Sequence, residues 1–326
     1  MVARPVPLPS WMHERIEQTM KALINRGDGA VAVDLAEVPD PQPGPSEAVV
    51  GVGAVAVNRG ELRLLGMRPH GWRPGQDVAG VVVMPAADGS GPAEGTRVVA
   101  WPEQEGWAQQ VAVPTSHLAT LAPEVSLAQA ATLPIAGVTA LRVLRLGGDL
   151  SSQRVLVTGA SGGVGRFAVE LAAGSGAEVT GVASNADRAA GLMDLGAGAI
   201  VYKMDDAEGP FDLILESAGG PSLVASIGLV APRGTIAVFG NSSDTAAQVS
   251  FGDFRGKAGA RIEAFFVYET GEPPTFGDDL KLLVDMIADG SLHPQIGVEA
   301  PWTEANQVFA ALASREVNGK AVLLVD

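Results

Sequence analysis

The sequence predicts an α/β protein in which a partly closed β-barrel is joined to a doubly wound parallel sheet. Three observations carry that expectation. Short β-branched runs broken by Gly, Asp and Pro fill the chain from residue 20 to about residue 122. From "LAQAATLPIAGVTALRVLRLG" onward, helical spacing alternates with compact apolar runs, the pattern of βαβ crossovers in a parallel sheet. Within that second regime, "RVLVTGASGGVGRFAVELA" joins a strand, a glycine-dense turn and an apolar helix without a break.

Taken in order, residues 1–19 are interrupted by prolines and a charged cluster and read as an N-terminal extension, without the continuous apolar core of a signal peptide. No later stretch is apolar for a whole membrane span, so the expected location is cytoplasmic. The barrel segments are "MKALIN", "EAVVGVGAVAVNRGEL", "DVAGVVVMP", "GTRVVAWP" and "AQQVAVPTSHLATLA", each a short run closed by turn residues. The parallel strands are expected at 155–158, 178–183, 199–202, 211–216, 234–239 and 261–267. After Gly271 come two helical stretches, "DDLKLLVDMIADG" and "TEANQVFAALASRE", and a last strand, "KAVLLVD". Periodicity leaves open whether these return to the first part.

A chain of 326 residues, 47% hydrophobic, is long enough for two ordinary domains. Its 22 basic against 37 acidic residues give a charge of −15 with no basic block, which disfavours nucleic acid and anionic membrane as partners and favours a small molecule. The absence of cysteine excludes disulfides, thiolate zinc sites and a cysteine nucleophile. The four histidines, His13, His70, His117 and His293, are scattered with no metal-ligand spacing.

The glycine turn points main-chain amides and a helix N-terminus at one spot, where a phosphate is stabilised. Gly162 and Gly165 fill the positions of the dinucleotide fingerprint that permit close approach of a pyrophosphate and tight helix-to-strand packing. Ala160 stands where the first glycine usually is, with Gly159, Ser161, Gly163 and Val164 completing the turn. The plain alternative is a strand-to-helix turn needing positive φ; the flanking strand, helix and further βαβ units favour dinucleotide binding. At the end of the second strand, where a carboxylate would bind ribose hydroxyls, the chain has Ala183, followed by Ser184 and Arg188. A hydroxyl and a guanidinium there suit the extra phosphate of NADPH. Asp187 reads instead as the acid of an S-x-x-D capping box opened by Ser184.

"VLVTGASGGVG", "GVTALRVL", "GQDVAGVV", "NRGEL" and "NGKAVLLV" together resemble the medium-chain dehydrogenase/reductase superfamily, in its zinc-independent quinone oxidoreductase and enoyl reductase branch. The resemblance implies a Rossmann NADPH-binding domain over 146–271, a GroES-like catalytic domain built from 20–145 and 272–326, and a homodimer. Zinc-binding relatives carry Cys or His in the region occupied here by Asn58–Glu61 and Gly-His-Glu where this chain has Gly75, Gln76 and Asp77. By resemblance Asn58 lies near nicotinamide and substrate, Thr139 near the nicotinamide end, and Phe239, Gly240 and Asn241 against the nicotinamide, while Tyr202 and Arg188 contact the adenosine phosphate. A turn-former at Asn58 and a helix-interior hydroxyl at Thr139 are the alternatives.

Without a Lewis acid, a conjugated C=C is the expected hydride acceptor. The tyrosines that relatives carry shortly after the Asn are missing; Arg63, Arg68 and His70 occupy that region as candidate enolate-stabilising or proton-donating groups, or as solvated loop charges. The expected function is reduction of an enone or enoyl substrate, with NADPH:quinone oxidoreductase as the alternative and a non-catalytic NADPH-binding sensor or structural protein as a second.

Overall fold

The computed structural model describes residues 19–269 and 275–326. The expected N-terminal extension therefore lies outside the described residues except for Thr19, which opens the first strand. Strands β1 (Thr19–Asn25) and β2 (Val33–Pro39) form an antiparallel hairpin. The hairpin is tied to the rest of the barrel region by Leu23 N donating to Trp107 O and Asn25 N to Trp72 O.

The first large sheet is organised by β3 (Glu47–Val57), whose eleven residues serve three neighbours. Helix α1 (Arg59–Leu65) follows it directly, and then come β4 (Asp77–Met84), β5 (Arg97–Ala100), β6 (Gln110–Pro114) and β7 (Leu118–Thr120). β3 pairs with β4 along one edge; on the other, its first half pairs with β6 and its last residues with β15 (Lys320–Leu324). Two register shifts in the β3–β4 ladder mark bulges, which bend a strand and raise its twist. The question periodicity left open is decided here: β14 (Ile296–Pro301) and β15 join this sheet, in the order β14-β15-β3-β4-β5-β7.

Helix α2 (Leu127–Ala131), a π-helical turn (Leu133–Gly137) and α3 (Val138–Arg145) lead into the second sheet. There β8 (Arg154–Val157), β9 (Glu178–Val182), β10 (Ala199–Val201), β11 (Phe211–Glu216), β12 (Val230–Val238) and β13 (Arg261–Ala264) are all parallel, in the order β10-β9-β8-β11-β12-β13. The order reverses between β8 and β11, which opens a crevice at their carboxyl ends where ligands of doubly wound sheets bind. The crossover helices are α4 (Gly163–Gly174), α5 (Ala186–Ala189) and α6 (Gly220–Leu229). This is a Rossmann sheet with a second, mixed-sheet domain.

Most strand ends lie within one residue of expectation, and two differ by more. β12 starts at Val230, ahead of residue 234, and β13 stops at Ala264, ahead of residue 267. β12 ends at Val238, so the chain beyond Phe265, whose N–H donates to Val238 O, has no ladder partner and turns away. Helix α7 (Phe276–Ala288) packs Phe276, Leu280, Leu283 and Val284 into the Rossmann core, whereas α8 (Ala305–Ala313) buries Val308, Phe309 and Leu312 in the barrel core. Buried Asp279 of α7 is held by Arg142 and Arg145 of α3 at 2.5 and 2.6 Å, fixing α7 against the π-helical turn's neighbour.

Candidate active site

The glycine turn follows β8, with Thr158 anchored by its hydroxyl to Leu215 O across the crevice. Gly159 has φ of +60°, a conformation glycine adopts without steric penalty. A Cβ at Gly165 would lie 2.4 Å from Gly159 O and 2.7 Å from the Ala160 Cα, so α4 reaches this close to the turn only with glycine there. Ala160 is tolerated because its methyl faces Gly181 of β9, which has no side chain to meet it. Ser161 O accepts from Gly319 N at 3.1 Å, so the segment leading into β15 rests on the turn. Helix α4 begins at Gly163 after Gly162, with no side-chain cap and no acid in its first turn. Its orphan N–H groups and positive dipole end are therefore left for an anion.

Beyond β9, Ala183 is buried and Ser184 exposed. The cap of α5 is Asn185, whose side chain accepts from Arg188 N at 2.9 Å; the Ser184–Asp187 capping box is corrected to this Asn, one residue later. Arg188 donates to the main-chain oxygens of Val317 and Arg315 at 2.5 and 2.7 Å. Arg315, at φ +65°, donates to Ser242 O, and Arg59 of α1 to Leu312 O. Burial, followed by the neighbouring Arg315 and Arg59, lowers the Arg188 pKa, as burial and Arg315 lower that of Arg59. Three guanidiniums thus converge in an acidic protein, each bonded to carbonyls, and none has a carboxylate partner among the described ion pairs. Arg59 and Arg315 were not legible as members of this group, since they come from three separate parts of the chain with Arg188. Tyr202 follows β10 with its ring half exposed.

The barrel side of the cleft carries a buried polar cluster. Lys320 Nζ donates to Asn58 Oδ1 and Asp77 Oδ2, both at 2.7 Å, with Lys320 3% and Asp77 0% exposed. Asn58 Nδ2 donates to Asp77 and Glu61, and Ile135 N of the π-helical turn donates to Asp77 Oδ1. Glu61 also accepts from Asn58 N and Gln76 N. Burial, and next the Asp77 charge, push Glu61 up to about 8.

The family described as Zinc-binding dehydrogenase matches residues 195–323. The chain is 36% identical over 170 residues to a chloroplast envelope quinone oxidoreductase homolog of Arabidopsis thaliana, covering 47% of this chain and 52% of that one. It is 31% identical over 311 residues to the spectinabilin polyketide synthase system protein NorB of Streptomyces orinoci, covering 90% of this chain and 14% of that one. It thus spans about half the length of the plant relative and a small part of the synthase. A mycobacterial protein solved in complex with NADPH shares the fold, with a TM-score of 0.84 at 22% identity over 94% of this chain and 99% of that one. Together these matches support placing the chain in the medium-chain dehydrogenase/reductase superfamily.

The quinone oxidoreductase homologues among these relatives are oxidoreductases, and the turn and helix of this chain fit a nicotinamide cofactor. Zinc, which the family's description implies, does not fit. Among the described residues the carboxylates bonded to Asn58 are Glu61 and Asp77, and the Lys320 ammonium already occupies the centre between Asn58 and Asp77 that a dication would need. Among the described residues no group of three or more His, Asp or Glu side chains is placed to hold a metal ion.

The remaining candidates are distributed unevenly. Thr139 is buried in the first turn of α3, four residues after Ile135. Phe239 N donates to Glu216 O, Gly240 lies against Ser217 O, and Asn241 Oδ1 fills the space a Cβ at Gly219 would take, so these three border the crevice. Arg63 instead pairs with Asp244 at 3.1 Å, Arg68 lies over the Trp72 ring, and His70 Nδ1 meets Arg26 O. None of these three has a described contact with Asn58, Glu61 or Asp77. A residue the sequence reading passed over does reach the cluster: Tyr268 donates its hydroxyl to Gln76 Oε1 at 2.9 Å.

Proposed function

We propose that this protein is an NADPH-dependent reductase that transfers hydride to the β-carbon of an activated C=C, in an enone or enoyl substrate. The observation that carries this reading is the ammonium of Lys320 locked between Asn58 and Asp77. A site built this way polarises no alcohol or simple carbonyl by Lewis acidity, whereas a conjugated acceptor needs only stabilisation of an enolate.

When bound, the cofactor supplies the hydride. The turn from Gly159 to Gly165 and the open amides of α4 hold its pyrophosphate. Arg188, Arg59 and Arg315 favour the additional phosphate of NADPH over NADH, because a dianion relieves the repulsion among three clustered cations. Ser184 and Tyr202 flank that end, and Thr139, Phe239, Gly240 and Asn241 line the nicotinamide end. Both polar ends of the Asn58 amide are taken within the cluster, so Asn58 acts by fixing the start of α1.

A quinone is the second reading, favoured by the half-exposed Tyr268 ring, which stacks on buried Trp101 with ring centroids 5.9 Å apart. We further infer a homodimer in which β13, an edge strand with Ile262 exposed, meets its copy; sedimentation velocity tests it. Among the described residues no helix is long and apolar enough to cross a membrane. The deciding experiment follows NADPH absorbance with a panel of enones, enoyl thioesters and quinones. Turnover of the first two classes supports the reading, turnover of quinones alone moves the assignment to the second, and tight NADPH binding without turnover makes the protein a sensor.

A further inference from the structure

Tyr268 reaches the cleft from the Rossmann side, four residues after β13, and bonds to a residue immediately before β4 on the barrel side. The bond is built rather than incidental. Gln76 Nε2 donates to Glu103 O, which fixes the amide so that its oxygen faces the phenol. Gln76 N donates to Glu61 Oε1, tying the same residue to the buried cluster. The ring of Tyr268 lies nearly parallel to Trp101, at 22°, and Trp101 is itself stacked on Phe276. Two constraints therefore hold the ring and the hydroxyl, yet about half of the residue stays exposed.

We propose that Tyr268 is a catalytic residue, whose hydroxyl donates to the carbonyl oxygen of the substrate and protonates the enolate that hydride addition creates. The assignment rests on the reductase reading above. A bound reduced nicotinamide would supply the hydride to the β-carbon, becoming oxidised, and the C=C pair of the substrate would move to form its enolate. The Tyr268 O–H bond breaks and its proton goes to the enolate oxygen; the enol relaxes to the saturated carbonyl compound, and the phenolate is reprotonated by water at its open face. The substrate oxygen replaces Gln76 as acceptor, so the donor is already aimed before substrate arrives. Burial, with the Glu61 charge, pushes the phenol up to about 12, which keeps the proton on the oxygen until an enolate claims it. Arg63 pairs with Asp244, Arg68 lies over Trp72 and His70 meets Arg26 O, whereas Tyr268 bonds to Gln76, whose N–H donates to Glu61 of the buried cluster.

Tyr268→Phe keeps the stack on Trp101 and removes one hydroxyl. In the full chain with NADPH and an enone that the wild type reduces, kcat/KM is expected to fall about a hundredfold. The melting temperature and the NADPH dissociation constant are expected to stay within experimental scatter and about twofold of wild type. A second readout needs no turnover: with NADP+ bound, 4-nitrophenolate serves as an enolate mimic, and its affinity is expected to drop about tenfold in Tyr268→Phe. A variant as fast as wild type, or one that binds the mimic equally well, overturns the role of Tyr268 alone. A wild type that binds NADPH yet reduces no acceptor overturns the reductase reading and this assignment with it.

Discussion

Replacing Lys320 by methionine keeps most of the aliphatic stem, which fills the space beside Gly163 where a Cβ would lie 2.8 Å from Lys320 Cδ, and removes the charge. Asp77, 0% exposed, would keep Ile135 N and Asn58 Nδ2 as donors but lose the one cation paired with it among the described residues, with Glu61 as a second buried acid close by. Breaking one side of a buried pair typically costs about 3–5 kcal/mol. For 326 residues unfolding together, at about 2.1 cal/mol/K per residue, that is a loss of about 4–7 °C in melting temperature. Scanning calorimetry at neutral pH measures it, and adding Asp77→Asn to the same chain is expected to restore most of the loss, since the uncompensated charge is then gone. A Lys320→Met variant that melts with wild type, or a double variant that melts lower than the single one, would refute the view that the ammonium neutralises Asp77.

Gly165→Ala places a methyl against backbone atoms of the turn, 2.4 Å from Gly159 O, and fluorescence titration should show NADPH binding weakened tenfold or more. Arg188→Ala removes one of three clustered cations; the NADPH dissociation constant is expected to rise about tenfold while that for NADH changes less than twofold, and equal shifts would argue against a phosphate-specific role. The Glu61 pKa is raised in the folded state from an ordinary 4.5 to about 8, so the folded chain binds the extra proton. The associated stability is present in full below about pH 4.5 and is lost as pH rises through about 8. Urea titrations across that window should show a decline in wild type that is absent in Glu61→Gln.

The glycine turn was legible because its parts are contiguous: strand, glycines and helix lie between Arg154 and Ala172, and the requirement for close backbone approach is written locally. Alternation of strand and helix likewise announced the parallel sheet before its order was known. The cap of α5 shows the limit of such local reading, since Ser184 and Asn185 are both good capping types and only the backbone path selects Asn185. Arg63, Arg68 and His70 were candidates by nearness in sequence to Asn58, but a helix and a loop carry each to a different partner.

The sequence by itself determined the layered architecture, the glycine turn between strand and helix, and the lack of thiol or clustered imidazole ligands, because these depend on composition and on spacing within single elements. Tertiary structure alone decided that Lys320 sits on Asn58, 262 positions away, that Arg59, Arg188 and Arg315 form one cationic group, and that Tyr268 faces Gln76 across the cleft. The physical reason is common to all three. A lone lysine, arginine or tyrosine has no periodicity, and its partner is fixed only when β15 chooses β3 as its neighbour and the chain beyond β13 leaves the ladder.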